Sequence, residues 1–495
     1  MLSKEEIVKS VPQTGFFGQP KGLLSLFFTE FWERFSYYGM RAILIYYMYY
    51  EVTQGGLGLE RSTANSIMAV YGSLVYMSGI IGGWIADRLF GTTRTVFYGG
   101  VLIMIGHIVL AFPGGLTTLF ISMAFIIIGT GLLKSNISTI VGDLYSAEDA
   151  RRDSGFSIFY MGINMGAFIA PLIVGTIGLE YNFHLGFGLA AVGMAIGLVV
   201  FLLTKKKYLG LAGSYVPNPL TKEGKKKFFT RLAIAVVIIV ALGYYLIQAG
   251  IMTINVFTMT ISILGILIPT LYFIIMYRSD KSTEDEKSRL LAYIPLFVAA
   301  MMFWAIQEQG SNILAQYADE RVDLTLGSFE ISPAWFQSLN PLFIIALAPV
   351  FAWLWVKLGN RQPSTPRKFA YGLFFAGLSF VVMIFPAYFN GTDTLANPMW
   401  LVLSFFLVVL GELLLSPVGL SATTKLAPAA FAAQTMSLWF MTNASAQAIN
   451  AQVVKLYKPE TEIMYFGVIG AIAIGLGVIL YLMTPVIQKY MRGIR

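Results

Sequence analysis

The chain contains the stretch Glu30-Phe31-Trp32-Glu33-Arg34-Phe35-Ser36-Tyr37-Tyr38-Gly39-Met40-Arg41, which places two carboxylates and two guanidinium groups inside an otherwise apolar segment. A charged side chain near the centre of a bilayer costs about 2.5–3.5 kcal/mol, so these four groups must face something other than lipid. At about 100° per residue, the four charges and the two tyrosines lie within an arc of about 140° on one side of a helix. The pattern predicts a membrane-spanning helix whose polar side lines a cavity.

The composition is that of an integral membrane protein. Of the 495 residues, 57% are hydrophobic and 12% are charged. A soluble domain carries about 25% charged residues. Repeated apolar runs of about 18 residues or more predict helices as the spanning elements. Residues 1–20 are polar and mixed, so we expect no cleavable signal.

The same composition argues against several classes of function. The chain has no cysteine, which excludes disulfides, thiolate metal sites and cysteine nucleophiles. Only two histidines are present, so histidine-based metal or triad chemistry has almost no basis. The net charge of +8 resides in short loops between apolar runs, where it sets membrane orientation rather than nucleic-acid binding. We therefore expect no enzyme, no metal, no organic cofactor and no nucleic-acid partner.

Fourteen apolar runs predict fourteen transmembrane helices and an all-α membrane protein. They cover residues 22–50, 61–86, 95–112, 117–141, 154–177, 185–204, 228–249, 252–277, 291–315, 333–356, 369–389, 398–424, 429–454 and 464–488. With a cytoplasmic N-terminus, all lysines and arginines fall in cytoplasmic segments except Arg61, Arg321, Lys455 and Lys458 outside and Arg34, Arg41 and Lys134 within spans. This bias predicts a multi-pass protein of the cell inner or plasma membrane with both termini in the cytoplasm.

The predicted spans divide into two groups of six with a pair between them. Charged linkers flank the pair and the polar membrane residues avoid it, which predicts an insertion at the periphery. The predicted domains are an N-terminal six-helix bundle over 1–204, linkers with a two-helix hairpin over 205–290, and a C-terminal six-helix bundle over 291–495. Two six-helix halves with a site between them near the membrane midplane form the major facilitator architecture.

The segment Gly82-Gly83-Trp84-Ile85-Ala86-Asp87-Arg88-Leu89-Phe90-Gly91-Thr92-Thr93-Arg94 supports that architecture. It resembles the signature of the facilitator superfamily between the second and third spans. The resemblance implies a tight turn whose acid and bases lie near helix ends and gate the inner side. An ordinary charged cytoplasmic turn is the alternative.

Seven ionisable residues lie inside the predicted spans, namely Glu30, Glu33, Arg34, Arg41, Lys134, Glu308 and Glu412. Left unpaired, each would cost about 3 kcal/mol, so they must pair with one another or line water. The first half carries three positive and two negative groups, and the second half carries two negative groups. A cavity between the halves would suit a zwitterion, because its carboxylate would meet the cations and its ammonium Glu412 or Glu308. Internal salt bridges without substrate contact are the alternative.

Polar and aromatic side chains in other spans fit the same cavity. They are Tyr76 and the i, i+4 pairs Tyr160 with Asn164, Trp304 with Glu308, and Trp439 with Asn443. Asn340 precedes Pro341, where the missing amide hydrogen frees a backbone carbonyl. For the aromatic residues the alternative is core or lipid-interface packing, and for the asparagines it is an interhelical hydrogen bond.

Five stretches together resemble the proton-dependent oligopeptide transporter family of the major facilitator superfamily. They are Glu30-x-x-Glu33-Arg34-Phe35-x-Tyr37-Tyr38-Gly39 and residues 129–136, 156–166, 303–310 and 411–420. The central hairpin is similar to that of bacterial members. The short loop at 389–397 differs from animal relatives, which carry a large extracellular domain there.

The resemblance implies a symporter that imports di- and tripeptides by alternating access, with the proton as coupling ion. It implies a peptide carboxylate at Arg34, Arg41 and Lys134, and a peptide amino terminus at Glu412. Other implied substrate contacts are Tyr38, Tyr76, Asn164 and Asn340 around the backbone, and Trp439 beside a side-chain pocket. Glu308 would be a proton-coupling group.

A mechanistic hypothesis follows from these implied roles and from the charge distribution. A Lys134–Glu308 bridge between the halves would close one side of the cavity, and a proton on Glu308 would break that bridge. A peptide carboxylate would then take over Lys134 or Arg41. The Glu30-Glu33-Arg34 cluster is a second candidate proton site. Its glutamates are either proton carriers or partners that hold Arg34 in place.

Other functions stay open from the sequence. A symporter for nitrate or another small anion would use the same cations but leave Glu412 without a partner. An intramembrane enzyme would use acid pairs for general acid–base chemistry, yet no metal cluster or nucleophile elbow occurs. A receptor or structural protein would bind without transmembrane flux. We expect a monomer whose partners are a di- or tripeptide and the lipid bilayer.

Overall fold

Nearly every segment of the described chain is helical, as the apolar runs predict. The structure is a computed structural model that describes residues 4–146, 149 and 151–493. Arg495, one of the basic residues of the predicted cytoplasmic end, lies outside them. The α-helices are α1 (Lys4–Ser10), α2 (Gly22–Tyr49), α3 (Arg61–Ile85), α4 (Thr92–Leu110), α5 (Gly115–Asp143), α6 (Arg152–Ala170), α7 (Phe183–Thr204), α8 (Lys222–Gln248), α9 (Ile254–Arg278), α10 (Glu284–Gln307), α11 (Ile313–Arg321), α12 (Leu339–Leu358), α13 (Thr365–Val381), α14 (Phe385–Asn390), α15 (Pro398–Leu426), α16 (Ala432–Val453) and α17 (Glu462–Tyr490). A short hairpin pairs β1 (Thr325–Leu326) with β2 (Phe329–Glu330).

The helices are long enough and apolar enough for a multi-pass membrane protein. Within the described residues, twelve helical segments could cross a membrane by length and composition. Helices α2, which carries four charged side chains, and α16, which carries many polar ones, are not among the twelve. The all-α class is confirmed. The number of fourteen spans stays a prediction.

The chain forms two compact units. Unit 1 contains residues 1–40 and 77–260, and unit 2 contains residues 41–76 and 261–495. Helices α2 and α3 therefore each contribute to both units, and the boundary in α2 falls between Met40 and Arg41. The predicted division into 1–204, 205–290 and 291–495 stays a prediction.

Unit 1 has an apolar core formed mainly by α2, α4, α5 and α7. Leu23, Ile103, Leu133 and Phe201 are fully buried in it. Glycines allow α4 and α5 to approach closely, since a Cβ at Gly99 would lie 2.7 Å from the carbonyl oxygen of Gly129. Small residues at such contacts are typical of packed membrane helices.

The signature segment after α3 is tied to the linker that follows α7. Residues Ala86–Phe90 continue α3 as a π-helical turn, and Gly91 has the positive φ of +79° that ends the turn. The backbone amides of Asn218 and Leu220 donate to the carbonyl oxygens of Asp87 and Arg88. These bonds fix the turn within unit 1, and its implied gating role stays a prediction.

Gly82 in α3 is a position where an added methyl group should destabilise unit 1. Its Cα lies against the carbonyl of Gly131 in α5, and a Cβ there would overlap that oxygen. Overpacking of this kind typically costs about 1–3 kcal/mol. We expect Gly82→Ala to lower the thermal unfolding midpoint of the detergent-purified protein. The matched control is Gly83→Ala, where nothing lies within 4 Å of the added Cβ. Equal midpoints for the two variants would contradict this packing.

Unit 2 is organised around α13, which packs against α15 and α17. A buried ion pair joins α11 to α17, because the Nε and Nη2 atoms of Arg321 each lie 2.9 Å from an oxygen of Glu462. This is a bidentate contact, in which two guanidinium nitrogens donate to the two carboxylate oxygens, as is typical of buried arginine–carboxylate pairs.

The helices of the predicted central hairpin are present, and their burial differs. None of the residues of α8 is buried, which fits a peripheral insertion. In α9, the Ser262 hydroxyl donates to the Ala448 carbonyl, and the Gly265 carbonyl accepts from Ser445, both at 2.6 Å. This part of α9 is therefore fixed to α16 within unit 2.

Candidate functional site

The charged cluster of α2 in unit 1 is closed on itself. The Nε atom of Arg34 lies 2.7 Å from Oε1 of Glu30 and 3.0 Å from Oε2 of Glu33. All three side chains are 4% exposed or less. Because Nε carries one hydrogen, it donates to Glu30, and Glu33 is held by charge without a hydrogen bond. Two carboxylates thus surround one guanidinium.

This geometry bears on the open question about the two glutamates. Both carboxylates contact Arg34 in the structure, and their role as proton carriers stays a prediction. The Lys134 ammonium of α5 also acts electrostatically on Glu33 within unit 1. The predicted substrate contacts of Arg34 and Lys134 stay predictions.

Two further predicted site residues of unit 1 are placed by neighbours in their own helices. The ring of Tyr38 meets Tyr37 edge-on at 5.3 Å between centroids. The Asn164 side chain, 5% exposed, donates to the carbonyl oxygen of Tyr160 at 3.0 Å. The i, i+4 relation between Tyr160 and Asn164 is therefore realised as a hydrogen bond along α6.

In unit 2, the predicted straight span over 291–315 is interrupted at Glu308. Helix α10 ends at Gln307, residues Glu308–Ser311 form a 3-10 turn, and α11 begins after Asn312, whose φ and ψ are −127° and −78°. Gly310 lies inside this turn. Glu308 is buried at this break, within a long apolar helical segment. The sequence pattern predicted the segment but not the break.

The carboxylate of Glu308 is held by two donors. Nη2 of Arg41 lies 2.5 Å from its Oε2, and Nδ2 of Asn443 donates to its Oε1 at 2.8 Å. Gln447 in turn donates to Oδ1 of Asn443 at 3.0 Å. Glu308 is 7% exposed and Arg41 13%. Arg41 is thus a direct partner of this carboxylate, and the Lys134–Glu308 bridge stays a prediction.

Glu412 of α15 lies beside this pair and has a different environment. Its Oε2 accepts from Nε2 of Gln307 at 3.1 Å and from Nδ2 of Asn340 at 3.2 Å. Among the described residues, no lysine, arginine or histidine nitrogen lies within 4 Å of Glu412. Gln307 donates to the Glu412 carboxylate, and the next residue, Glu308, carries the other carboxylate. Both acidic groups are therefore linked to the same turn of the chain. One carboxylate has a cation and the other has neutral amides only.

The predicted aromatic residues of unit 2 lie at different depths. Trp304 is half-buried and meets Phe303 edge-on at 5.3 Å, and Tyr76 is also half-buried. Trp439 is 6% exposed, with its ring against the backbone of Gly419. Trp439 is thus part of the core packing between α15 and α16, and its predicted role beside a side-chain pocket stays a prediction.

The predicted site residues are distributed over both units. Unit 1 contains Glu30, Glu33, Arg34, Tyr38, Lys134 and Asn164, and unit 2 contains Arg41, Tyr76, Trp304, Glu308, Asn340, Glu412 and Trp439. Gln307, which donates to Glu412, was not among the residues expected at the cavity, and its adjacency to Glu308 was the sequence signal. Asn443, expected there as the i+4 partner of Trp439, donates to Glu308.

The polar groups of unit 2 can hold the two ends of a zwitterion. Arg41 offers a guanidinium whose counter-ion in the structure is Glu308. Glu412 offers a carboxylate that neutral amides orient without neutralising. A partly buried carboxylate is stabilised by a cation more than by neutral donors, so a ligand ammonium is a suitable partner.

Comparisons with known proteins agree with this chemistry. A sequence model described as "PTR2: POT family" matches residues 93–472. The "Uncharacterized transporter YclF" of Bacillus subtilis (strain 168) is 65% identical over 494 residues, covering 100% of this chain and 99% of the relative. The "Di-/tripeptide transporter" of Lactococcus lactis subsp. cremoris is 50% identical over 488 residues, covering 97% and 98%.

Solved structures give the same result for the fold. A crystal structure of peptide transporter POT in complex with sulfate has a TM-score of 0.97 and 66% identity, covering 100% of both chains. A crystal structure of a POT family transporter in complex with a thioalcohol conjugated peptide has a TM-score of 0.92 and 49% identity, covering 97% of this chain and 99% of that one. The full length of the chain is therefore similar to these transporters.

Proposed function

The chain belongs to the POT family and has the major facilitator fold, and from this premise we propose that it is a proton-coupled symporter for di- and tripeptides. It is a multi-pass membrane protein. In the proposed cycle it imports peptides by alternating access as a monomer, with both termini in the cytoplasm. Transport, rather than enzymatic conversion of the peptide, is its proposed activity.

The observation that carries the proposal is the unequal pairing of Glu308 and Glu412 in unit 2. Arg41 compensates the charge of Glu308, whereas Gln307 and Asn340 only orient Glu412. A peptide has a carboxylate at one end and an ammonium at the other. Its ammonium supplies the counter-ion for Glu412, and its carboxylate is a suitable substitute for Glu308 beside Arg41.

The proton enters this scheme at Glu308. While Glu308 is ionised, its carboxylate occupies Arg41 and competes with a peptide carboxylate for the same donors. A proton on Glu308 removes that competition, so proton binding and peptide binding favour each other. By thermodynamic linkage, the peptide must raise the affinity for the proton by the same factor. In this scheme Arg41 is the partner of Glu308 that the peptide carboxylate takes over.

Reconstituted transport tests the function. Proteoliposomes with an acidic outside and a neutral inside should accumulate labelled dialanine above its external concentration. For one proton per peptide, one pH unit supplies about 1.4 kcal/mol, which corresponds to about tenfold accumulation. A protonophore should abolish the accumulation, and protein-free liposomes are the control.

Competition experiments separate the peptide function from that of a small-anion symporter. Unlabelled dipeptides should inhibit the uptake, and nitrate at the same ionic strength should not. Proton-driven nitrate uptake that dipeptides do not affect would overturn the peptide assignment. Binding of peptide without any flux would point to a receptor.

A further inference from the structure

A pocket of about 670 Å³ lies in unit 2, away from the acidic residues of the candidate site. It is formed where α12 ends, where α13 begins and where the last turns of α15 pass. Its lining includes Trp355, Gln362, Ser364, Arg367, Lys368 and Lys425. Three of these are basic and none is acidic.

Lys368 is the central cation of this pocket. It is 8% exposed, and its Nζ donates to Oε1 of Gln362 at 2.8 Å and lies 4.1 Å from the ring centre of Trp355. Within the described part of the chain, no carboxylate lies within 4 Å of this ammonium. An ammonium has three donors, and among the described residues only Gln362 accepts from this one. A buried cation without an acidic partner is costly unless an anion compensates it.

The first turn of α13 adds donors to the same pocket. Ser364 is the N-cap residue, yet its hydroxyl makes no capping hydrogen bond and is buried without a partner among the described atoms. The 17-residue helix that follows directs the positive end of its dipole toward the pocket. A buried lysine, an unused hydroxyl and a helix N-terminus therefore line the same pocket, and Lys425 lines it as well.

We propose that this pocket is a binding site for a phosphate group. A phosphate offers several acceptor oxygens, which match the free donors of Lys368, the hydroxyl of Ser364 and the charge of Lys425. The phosphate is either that of an anionic phospholipid headgroup or free inorganic phosphate. Because α12 also carries Asn340 and α15 also carries Glu412, an occupant would connect the far ends of two helices that orient the peptide-binding carboxylate.

Binding measurements on the purified full-length protein test the site. Delipidated protein is titrated with phosphatidylglycerol, with phosphatidylcholine of the same chain length, and with inorganic phosphate. Occupancy is followed by native mass spectrometry for the lipids and by calorimetry for phosphate. We expect saturable binding of phosphatidylglycerol or of phosphate. Binding of phosphatidylglycerol would identify a lipid headgroup as the ligand, and binding of inorganic phosphate would identify the free anion.

Variants localise the binding. The double variant Lys368→Gln/Lys425→Gln and the single variant Ser364→Asp should each weaken the binding by at least about tenfold, because they remove or oppose the positive charge. The matched control is Lys357→Gln, since Lys357 lies at the same end of α12 but does not line the pocket. Its affinity should stay within about twofold of the parent protein.

Three results would overturn the proposal. The first is that the protein binds phosphatidylglycerol and phosphatidylcholine equally well and does not bind phosphate. The second is that neither phosphatidylglycerol nor phosphate shows saturable binding. The third is that the pocket variants bind as tightly as the parent protein. Ser364→Asp keeps both lysines, so it decides the question if the double variant fails to fold. Folding is checked by circular dichroism and by monodisperse elution. None of these measurements depends on peptide transport.

Discussion

Replacing Glu308 with glutamine should abolish the proton-driven accumulation of dialanine while peptide exchange across the membrane persists. An amide at this position still accepts from Asn443, whose Nδ2 lies 2.8 Å from Oε1 of Glu308, so the helix break should keep its shape. The amide does not ionise, so it can neither take up nor release a proton and carries no charge. Arg41 is then available to a peptide carboxylate in every step, whatever the pH.

The measurement compares two modes of transport in the same proteoliposomes. In the first, an inward proton gradient drives uptake, and the internal concentration of the variant should stop at the external one instead of rising about tenfold above it. In the second, vesicles loaded with unlabelled dialanine take up labelled dialanine at equal pH on both sides. This exchange should continue in Glu308→Gln.

A matched control isolates the buried carboxylate. Glu320 lies in α11, beyond the same helix break, and pairs with Arg61; their side chains are 17% and 55% exposed. Because Arg61 is open to solvent and an amide at 320 still accepts from Gln316, losing this charge should cost about 1 kcal/mol or less, and Glu320→Gln should accumulate dialanine like the parent protein. Full accumulation in Glu308→Gln would reject the coupling role. Loss of exchange together with accumulation would show that Glu308 is needed for binding itself.

The position of the polar groups along each helix could be predicted from the sequence. In α2, the helical period puts Glu30, Arg34 and Arg41 on one side, and the cost of charges in lipid requires that side to be enclosed. A helical wheel gives the direction of each side chain around the helix axis but not its position along that axis. Arg34 and Arg41 are about 10.5 Å apart along the axis at 1.5 Å per residue, so their partners differ.

The choice of partners could not be predicted, because it depends on tertiary packing. From charge and span alone, the sequence predicted Lys134 as the partner of Glu308 and gave no reason to place Arg41 against it. Glu308 lies at the break in the helix, and Arg41 and Asn443 are the donors that contact its carboxylate there. The sequence around Gly310 did not indicate this helix break, because glycine is common inside membrane helices and does not by itself predict an interruption.

The phosphate pocket shows the same limit in another part of the chain. In the sequence, Lys368 and Lys425 are two of many basic residues on the predicted cytoplasmic side, and membrane orientation accounts for them. Only the structure shows that Lys368 is buried against Trp355 without an acidic partner among the described residues. What distinguishes Lys368 from the other basic residues is therefore its burial, which the sequence does not give.

Replacing Glu412 with glutamine should weaken dialanine binding by about 30-fold or more. Truncating one partner of a buried charge pair typically costs about 2–5 kcal/mol, and 2 kcal/mol corresponds to about 30-fold. The amide side chain is nearly isosteric, so the hydrogen bonds with Gln307 and Asn340 can re-form and the fold should be kept. The expected loss is therefore that of the charge.

A change in the substrate tests the same charge from the other side. N-acetyl-dialanine has no ammonium, and the parent protein should bind it much more weakly than dialanine. If Glu412 is the partner of that ammonium, Glu412→Gln should bind the two compounds with similar affinity, because each alteration removes the same interaction. The affinities come from competition against labelled dialanine in exchange at equal pH, so the proton gradient does not enter. If Glu412→Gln still prefers dialanine as strongly as the parent protein does, the ammonium is bound elsewhere. Glu412 would then be a structural carboxylate held by Gln307 and Asn340.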